Sequence, residues 1–319
     1  MLQPSFNDIV AAQEFIATYL PKTPLIRNEY LSTMLDCDYY VKLENLQPTG
    51  AFKVRGGVNL VGTEFGADRP TLVTASTGNH GQSIAFGGKL FNSRVIIYAP
   101  AENVNESKMQ AMRELGAEVR LHGRDFDESR LECERVARAE GFRYVHSANE
   151  PKLIAGVGTI GLEIFEDLPD VDVIIAPAGG GSCASGNSLV AKHLNPKVQV
   201  IAVQSESAPA MWHAWRTRTL EPYPTMATVH EGLATRVPFE MTTKILWELL
   251  ADFLLVTDDE INDAIRLLAR YAKQIGEGAG AASLACALKL RDKLAGKKVV
   301  GIVTGGNIPV DRFAALLRN

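Results

Sequence analysis

Short apolar runs alternate with longer amphipathic stretches from residue 71 onward. The apolar runs predict strands, and the stretches between them predict helices of about 10–15 residues, because they repeat apolar positions at the helical spacing. The first series has strands at 71–75, 94–99, 118–121 and 143–146 and helices at 80–90, 105–115 and 125–140. Strands that alternate with helices in this way form a parallel, twisted sheet.

A second series of the same kind begins near residue 152. It has helices at 152–167, 183–193, 257–274 and 280–294 and strands at 171–176, 198–203 and 298–303. The strand at 171–176 carries apolar residues on both faces, as expected of a central strand that is covered on both sides. Residues 204–238, which contain Trp212, Trp215 and several prolines, are predicted to be irregular.

The chain before residue 70 adds a helix, a strand and a second helix. The first helix is predicted at 7–20, with Asn7 as its N-cap and Pro21 as its stop. A strand at 39–44 leads into a loop, and a helix is predicted from Phe52 to about residue 65.

These elements predict an α/β fold with two doubly wound, mainly parallel sheet domains. Residues 70–147 are expected to form a small domain, and residues 1–69 together with 148–319 a large one. Ligands in such folds bind outside the carboxyl ends of the strands. We therefore expect the functional site in the cleft between the two domains.

Composition is that of an ordinary globular protein. Of 319 residues, 46% are hydrophobic and 22% are charged, and the net charge is −4. With no basic run, this argues against nucleic-acid binding. The four cysteines lack CxxC spacing, so we expect buried apolar side chains rather than disulfides or a zinc site. Because the chain shows neither a signal-peptide pattern nor an apolar run of membrane-spanning length, we expect a cytoplasmic protein without membrane association.

Candidate chemistry begins at the loop Gly50-Ala51-Phe52-Lys53-Val54-Arg55-Gly56, where Lys53 lies between an aromatic residue and a glycine turn. A single lysine of this kind is usually a solvated surface charge. Three later glycine-rich loops, at 76–81, 179–182 and 304–307, change that expectation. Together the four loops predict a pocket for a phosphorylated aromatic aldehyde, with the Lys53 amine holding it.

The loop Gly179-Gly180-Gly181-Ser182 joins a strand to a helix. Its main-chain amides lie at the positive end of the helix dipole, and no Cβ atom keeps an anion away, so a phosphate is favoured. A tight turn at an ordinary strand–helix junction is the alternative. A nucleotide is disfavoured, because both the Walker pattern and the GxGxxG pattern are missing.

Polar groups are concentrated in Ser76-Thr77-Gly78-Asn79-His80-Gly81. At the start of a helix they would suit a small carboxylate, although Ser, Thr and Asn are also common helix caps. The last loop, Thr304-Gly305-Gly306-Asn307, follows the last predicted strand, and a tight turn is again the alternative.

In their order along the chain, the four loops resemble those of the β-family, or fold type II, of pyridoxal-5′-phosphate enzymes, in the branch of threonine/serine dehydratases and serine racemase. The resemblance covers essentially the whole chain and implies a tryptophan synthase β-like fold. Residues 46–56 resemble the family's lysine loop, 76–81 its substrate-carboxylate loop, 179–182 its phosphate loop and 304–307 its pyridine-nitrogen loop. One such loop is a weak indication, whereas four in register are a strong one.

The resemblance implies a role for each matching residue. Lys53 would attach the cofactor as a Schiff base and, once displaced, would act as the base at the substrate α-carbon. The other cofactor-binding residues would be Phe52 against the ring, Asn79 at the 3′-oxygen, Gly179, Gly180, Gly181, Ser182 and Cys183 at the phosphate, Glu277 near the ring and Thr304 at the pyridine nitrogen. Ser76, Thr77, Asn79 and His80 would hold the substrate carboxylate. For Glu277, a helix-start carboxylate favoured by the dipole is the alternative.

Because a neutral Thr304 hydroxyl cannot keep the ring nitrogen protonated, β-elimination is favoured over transamination. The expected reaction is dehydration of a β-hydroxy-α-amino acid, L-threonine or L-serine by default, to a 2-oxo acid and ammonia. 3-Hydroxyaspartate, phenylserine and a hydroxyectoine-pathway intermediate are rival substrates. A guanidinium at the β-carbon would indicate a second carboxylate, with Arg216, Arg218 and Arg236 as candidates, and an open apolar pocket would indicate an aryl group.

Two departures from the family pattern matter. Thr77 stands where the racemase has a serine that serves as acid and base on the opposite face, so an amino-acid racemase is the alternative function. Gln204 and Ala210 stand where many relatives have acidic ligands of a divalent cation, so no metal site is expected there. Glu206 is expected to be a solvated surface carboxylate.

Three further expectations concern the whole protein. Because the chain ends soon after the last glycine loop, no regulatory C-terminal domain is expected, which fits a catabolic role. A homodimer is expected from the family and from the prevalence of two-fold assemblies. A non-catalytic pyridoxal-phosphate-binding protein is a third hypothesis, against which the intact Lys53 argues.

Overall fold

The protein is built from two β-sheets covered by helices. A computed structural model describes residues 2–65, 69–102 and 106–318. The strands are β1 Leu25–Arg27, β2 Asp38–Leu43, β3 Leu72–Ala75, β4 Val95–Ala99, β5 Glu118–Leu121, β6 Arg143–Tyr144, β7 Val173–Pro177, β8 Gln199–Ser205, β9 Asp252–Val256 and β10 Lys298–Val303. The helices are α1 Phe6–Ile16, α2 Glu29–Leu35, α3 Lys53–Thr63, α4 Asn79–Leu90, α5 Glu106–Glu114, α6 Phe126–Glu140, α7 Pro151–Asp167, α8 Ser182–Leu194, α9 Ala210–Thr217, α10 Glu240–Leu249, α11 Asp258–Leu267, α12 Gly278–Lys289, α13 Arg291–Leu294 and α14 Val310–Arg318. Short 3-10 turns at Glu44–Leu46 and Glu231–Leu233 and a π-helix at Leu268–Ala272 complete the elements.

The strands form a six-stranded and a four-stranded sheet. The larger has the order β1-β2-β10-β7-β8-β9, and all of its pairs are parallel except the edge pair β1–β2. The smaller has the order β5-β4-β3-β6 and is parallel throughout. The predicted α/β fold class with two mainly parallel sheets is therefore confirmed.

Alternation along β7 shows how the larger sheet is covered on both faces. Val173 and Ile175 pack in one hydrophobic cluster with residues of α2, α11 and α12. Ile174 and Ala176, which point the opposite way, pack in another with residues of α1, α7 and α8. Successive strand residues point to opposite faces. A strand buried on both sides therefore reads as a continuous apolar run, as the sequence predicted here.

Several predicted boundaries were wrong. Ser5, rather than Asn7, caps α1: its hydroxyl accepts from the Asp8 amide, and the Asp8 carboxylate accepts from the Ser5 amide. This reciprocal pair is a capping box, which satisfies two free helix donors at once. The helix also ends at Ile16 rather than at residue 20. The predicted capping box of Thr257 and Glu260 is confirmed at the start of α11.

The region predicted as irregular contains a helix, because Trp212 and Trp215 lie on α9. Strand β9 and helices α10 and α14 were not predicted. Strand β9 is short, and its apolar run is too brief to predict a strand. Its pairing with β8 stabilises it in the folded protein. Residue 105, the predicted start of α5, lies outside the described residues.

Four buried charged side chains form ion pairs near the start of α3. This buried charge cluster consists of Lys42, Glu44, Arg55 and Glu163. Arg55 donates to Glu44 at 2.7 Å and to Glu163 at 2.6 Å, and Lys42 donates to Glu163 at 2.5 Å. The cluster thereby joins α3, which begins at Lys53, to β2 and α7.

Candidate active site

A pocket of about 450 Å³ lies at the carboxyl ends of the central strands of both sheets. Every residue predicted for the site lines it: Phe52, Lys53, Ser76, Thr77, Asn79, His80, Gly179, Gly180, Gly181, Ser182, Cys183, Glu277 and Thr304. These residues come from the four loops and from Glu277 at the start of α12, which are far apart in the chain. The parallel strands bring them together, because their carboxyl ends meet at one edge of each sheet.

Lys53 is the first residue of α3, and its amine points into the pocket. The amine donates to the Ser182 hydroxyl at 3.1 Å and to the Ser147 carbonyl at 3.4 Å, and it lies 5.3 Å from the centre of the Phe52 ring. Both acceptors are uncharged. Burial disfavours the ammonium form and lowers the pKa of Lys53 to about 8. About a tenth of such an amine is unprotonated at pH 7, far more than of an ordinary lysine side chain.

The glycine loop follows β7 and opens α8. Gly181 has a φ of 83°, a conformation that favours glycine, and Ser182 is the first helical residue. A Cβ on Gly179 would lie 2.2 Å from the Gly232 carbonyl oxygen, so only glycine fits there. The first amides of α8 have no acceptors within the helix and lie at the positive end of its dipole. They are suited to a phosphate, next to the Lys53 amine.

Ser76 organises the loop that opens α4. Its hydroxyl oxygen accepts from the amides of Gly78, at 3.1 Å, and Gly81, at 2.9 Å. The Ser76 side chain therefore shapes the loop from within. The amides of Asn79 and His80 begin α4 and have no intrahelical acceptors, which makes them suitable donors to a small carboxylate.

His80 is neutral, and its tautomer follows from its neighbours. The Thr74 hydroxyl donates to the Val145 carbonyl at 2.8 Å, so it accepts from Nε2 of His80, also at 2.8 Å. Nδ1 is then an unprotonated acceptor, and it is buried without a partner among the described residues. Burial, with the charge of Lys53, lowers the pKa of His80 to about 3. Its main-chain amide, not its ring, is the group that can bind an anion.

Asn79 and Glu277 meet in a chain of side-chain amides and carbonyls. The Asn79 amide donates to the Glu277 carboxylate at 2.6 Å, and its carbonyl accepts from the Asn307 amide at 2.8 Å. The same Asn307 nitrogen donates to the Thr49 carbonyl at 2.9 Å. Burial raises the pKa of Glu277, against the opposing effects of Lys108 and of the Asn79 hydrogen bond. Asn307 directly follows the glycine pair Gly305-Gly306, and that position in the last loop was the only sign of it in the sequence.

Thr304 directly follows β10 and lies beside the lysine loop. Its carbonyl accepts from the Phe52 amide at 2.9 Å, and Ala51 and Gly305 form an antiparallel bridge. Its hydroxyl is buried, lines the pocket and has no partner among the described residues. A buried unsatisfied hydroxyl is costly, and a ring nitrogen in the pocket would satisfy it. With the anion-binding loop and the Lys53 amine, the residues fit a phosphorylated pyridine aldehyde.

The three candidate arginines do not reach the pocket. Arg236 pairs with Asp127, Arg218 donates to the Trp247 carbonyl, and Arg216 lies over the Trp212 ring.

Several other lining residues were not predicted from the sequence, because nothing in the local pattern distinguishes them: Ser147, Lys108, Phe126, Met109, Met226 and Glu231. Lys108 and Glu231 form an ion pair across the pocket.

Three other expectations from the sequence concern the cysteines, a metal site and membrane-spanning segments. The four cysteines are free and buried, as predicted. At Gln204, where no metal site was expected, the side-chain carbonyl accepts from the Trp212 amide at 3.1 Å, and Glu206 is exposed. No cluster of three or more His, Cys, Asp or Glu side chains with metal-binding geometry occurs within the described ranges. None of the helices described is both long and apolar enough to cross a membrane.

Comparison with known proteins agrees with this geometry. Residues 16–305 match the family described as pyridoxal-phosphate dependent enzyme. The chain is 39% identical to the L-threonine ammonia-lyase of Thermotoga maritima, over 98% of this chain and 78% of that protein. It is 37% identical to the L-threonine dehydratase catabolic TdcB of Staphylococcus aureus, over 99% and 92%. The solved structure of maize serine racemase is similar with a TM-score of 0.93 at 27% identity, over 99% of this chain and 98% of that one. The family resemblance predicted from the sequence is confirmed, and the chain belongs to the family of pyridoxal-phosphate-dependent enzymes.

Proposed function

We propose that the protein is a pyridoxal-phosphate-dependent ammonia-lyase that dehydrates a β-hydroxy-α-amino acid, L-threonine or L-serine by default, to a 2-oxo acid and ammonia. The observation that carries this proposal is the Lys53 amine, which lies beside an anion-binding helix start among uncharged acceptors. The names of the two most similar relatives described above support threonine as the substrate. When bound, the cofactor supplies an electron sink for the electrons of the substrate α-carbon.

Different residues of the site would bind the phosphate, the ring, the ring nitrogen and the ring oxygen of the cofactor. The amides that begin α8, with the Ser182 hydroxyl, would bind the phosphate, and Phe52 would pack on the ring. The Thr304 hydroxyl would face the ring nitrogen, and Asn79 would donate to the ring oxygen. Cys183 and Glu277 would complete the cofactor site. A neutral hydroxyl at the ring nitrogen, in place of a carboxylate, favours elimination over transamination.

Lys53 would act as the base at the substrate α-carbon. In its unprotonated form, favoured by its lowered pKa, the amine can take the proton from the substrate α-carbon. The bond between the β-carbon and its hydroxyl then breaks, and the hydroxyl leaves as water once protonated. Hydrolysis of the resulting enamine returns that water and releases ammonia and the 2-oxo acid, so the atoms balance.

The substrate carboxylate would bind at the start of α4. The amides of Asn79 and His80 would be its donors, with Thr77 lining the same wall and Ser76 holding the loop in shape. Among the described lining residues there is no arginine, and the lysine that lines the pocket besides Lys53, Lys108, is paired with Glu231. This favours a substrate with an uncharged β-substituent over 3-hydroxyaspartate. Phe126, Met109 and Met226 also line the pocket, so phenylserine belongs in the substrate assay.

The experiment is a visible absorption spectrum of the purified protein, followed by a 2-oxo-acid assay with L-threonine, L-serine, phenylserine and 3-hydroxyaspartate. We expect a cofactor band that is absent in Lys53→Ala and steady 2-oxo-acid release from L-threonine. Lys89→Ala, on the exposed end of α4, is the matched control and should keep both signals. Lack of the band after reconstitution with pyridoxal phosphate would refute the assignment.

Racemisation is the second candidate, because Thr77, which carries a hydroxyl, lines the pocket and the fold matches that of maize serine racemase. Chiral chromatography of the same reactions separates the two functions. Accumulation of the D-enantiomer without 2-oxo acid would assign the racemase. Thr77→Ala should abolish racemisation and spare elimination.

We further propose a cytoplasmic homodimer in which residues 70–147 form a small domain and residues 1–69 with 148–319 a large one. All strands of the four-stranded sheet lie within 70–147, and all strands of the six-stranded sheet lie outside that range, which supports the division. Light scattering coupled to size exclusion tests the dimer. We expect a mass twice that of the 34.7 kDa chain.

A further inference from the structure

The orientation of the Asn79 side chain is determined by its neighbours. An asparagine side chain has a donor end and an acceptor end of the same shape, so only its partners distinguish the two. Both hydrogen-bond partners of Asn79 are side chains from the other side of the pocket, Asn307 and Glu277. The direction of each bond therefore depends on what those two residues present.

Asn307 receives its own orientation from the main chain. Its nitrogen lies 2.9 Å from the Thr49 carbonyl, which can only accept, so this end of the side chain must be the amide. The same nitrogen lies 2.8 Å from Asn79, so Asn79 must turn its carbonyl towards Asn307. Both hydrogens of the Asn307 amide are used in these two bonds. Gly50 packs against this side chain: a Cβ there would lie 2.5 Å from the Asn307 carbonyl oxygen.

The other end of Asn79 follows. Its amide donates one hydrogen to the Glu277 carboxylate at 2.6 Å, which leaves a second hydrogen on the same nitrogen. Asn79 lines the pocket. We infer that Asn307 is a positioning residue, which holds Asn79 so that this second N–H, rather than the carbonyl, faces the pocket and its cofactor. The inference rests on the proposed function and extends it to a residue that does not touch the cofactor.

Exchange of Asn307 for aspartate tests this inference, because the two side chains have the same shape and opposite hydrogen-bonding character. A carboxylate would face the Thr49 and Asn79 carbonyls with no donor between them. That carboxylate competes with Glu277 for the Asn79 amide, and Asn79 can meet it only by turning its carbonyl towards Glu277 and the pocket. For Asn307→Asp we expect the dissociation constant of pyridoxal phosphate to rise at least tenfold and the absorption maximum of the bound cofactor to shift.

Asn307→Ala separates orientation from space filling. The truncation removes both bonds but does not impose the reversed orientation on Asn79, so we expect a smaller rise in the dissociation constant than in Asn307→Asp. If Asn307 only fills space, the order is the opposite, because aspartate keeps the volume and alanine leaves a cavity. Asn28→Asp is the matched control. Asn28 also donates to a main-chain carbonyl, that of Tyr271, but lies outside the pocket, and aspartate keeps its capping bond to the Leu31 amide.

All variants are compared by reconstitution of the apoenzyme with pyridoxal phosphate, followed by absorption and fluorescence, with thermal melting as the folding check. If Asn307→Asp does not fold, the double variant Asn307→Asp with Glu277→Gln offers a donor to the reversed Asn79 and is compared with Glu277→Gln alone. An unchanged cofactor affinity and spectrum in Asn307→Asp would overturn the inference and leave the proposed function intact. Failure of the unsubstituted protein to bind the cofactor would instead refute the proposed function.

Discussion

Glu163 holds together the buried charge cluster, and its replacement by glutamine should destabilise the protein strongly. Its side chain is 6% exposed and accepts from Arg55 through both oxygens, and from Lys42 through one. In the cluster, two cations, Lys42 and Arg55, face two carboxylates, those of Glu44 and Glu163. Glu163→Gln leaves two buried cations with one carboxylate and places an amide donor against donors.

Removal of one partner from a buried ion pair typically costs about 3–5 kcal/mol. A domain is stable by only about 5–15 kcal/mol in total, so this is a large fraction. Glu166→Gln is the matched control on the same helix. Glu166 pairs with Lys22 at 3.0 Å but is 49% exposed, and an exposed pair contributes about 0–1 kcal/mol.

The assay is urea unfolding of both apoenzyme variants, followed by circular dichroism at neutral pH. Burial opposes ionisation of Glu163, but the hydrogen bonds and charge of Arg55, with the charge of Lys42, outweigh it and lower its pKa. A carboxyl with a lowered pKa stabilises the fold above its unfolded value of 4.5, and this contribution is lost as pH falls through the folded value. The deficit of Glu163→Gln should therefore be constant near neutral pH and shrink below about pH 4.5. A cost no greater than that of Glu166→Gln would refute the reasoning.

Two more predictions concern the pocket, and a third concerns cation binding at Gln204. The Lys53 amine of the apoenzyme should titrate at about pH 8. Its labelling by an amine-specific reagent, measured by peptide mass spectrometry, should therefore rise through that pH. A labelling midpoint near pH 10.5 would contradict the role of burial. Thr304→Val removes an unsatisfied buried hydroxyl, so melting of the apoenzyme should be unchanged or higher, whereas cofactor affinity should fall by about fivefold, or about 1 kcal/mol. A lower melting temperature together with unchanged affinity would show that the hydroxyl serves the fold. Because Gln204 uses its side-chain carbonyl on the Trp212 amide, dialysis against a chelator should leave activity unchanged; a loss restored by Mg²⁺ would reveal a cation site.

The sequence by itself determined the architecture and which glycine-rich loops line the pocket. Alternating apolar runs and amphipathic stretches predict parallel sheets, because a strand between two helical layers must be apolar on both faces, as β7 is. In a parallel sheet the loops at the carboxyl ends of neighbouring strands meet at one edge. The four glycine-rich loops could therefore be assigned to one site from their positions after strands. Prediction failed where the local pattern is short, as in β9, or where the cap lies two residues earlier than predicted, as at Ser5.

Only the tertiary structure decided the protonation and orientation of the groups in the site. The His80 tautomer depends on the Val145 carbonyl, which reaches it through Thr74. The Asn79 orientation depends on Asn307, 228 residues away in the chain. Proton positions are set by short-range contacts between groups from distant segments, whereas secondary structure follows from the spacing of apolar residues within one segment. A sequence shows which side chains can donate or accept, but which of them do so depends on the neighbours that folding supplies.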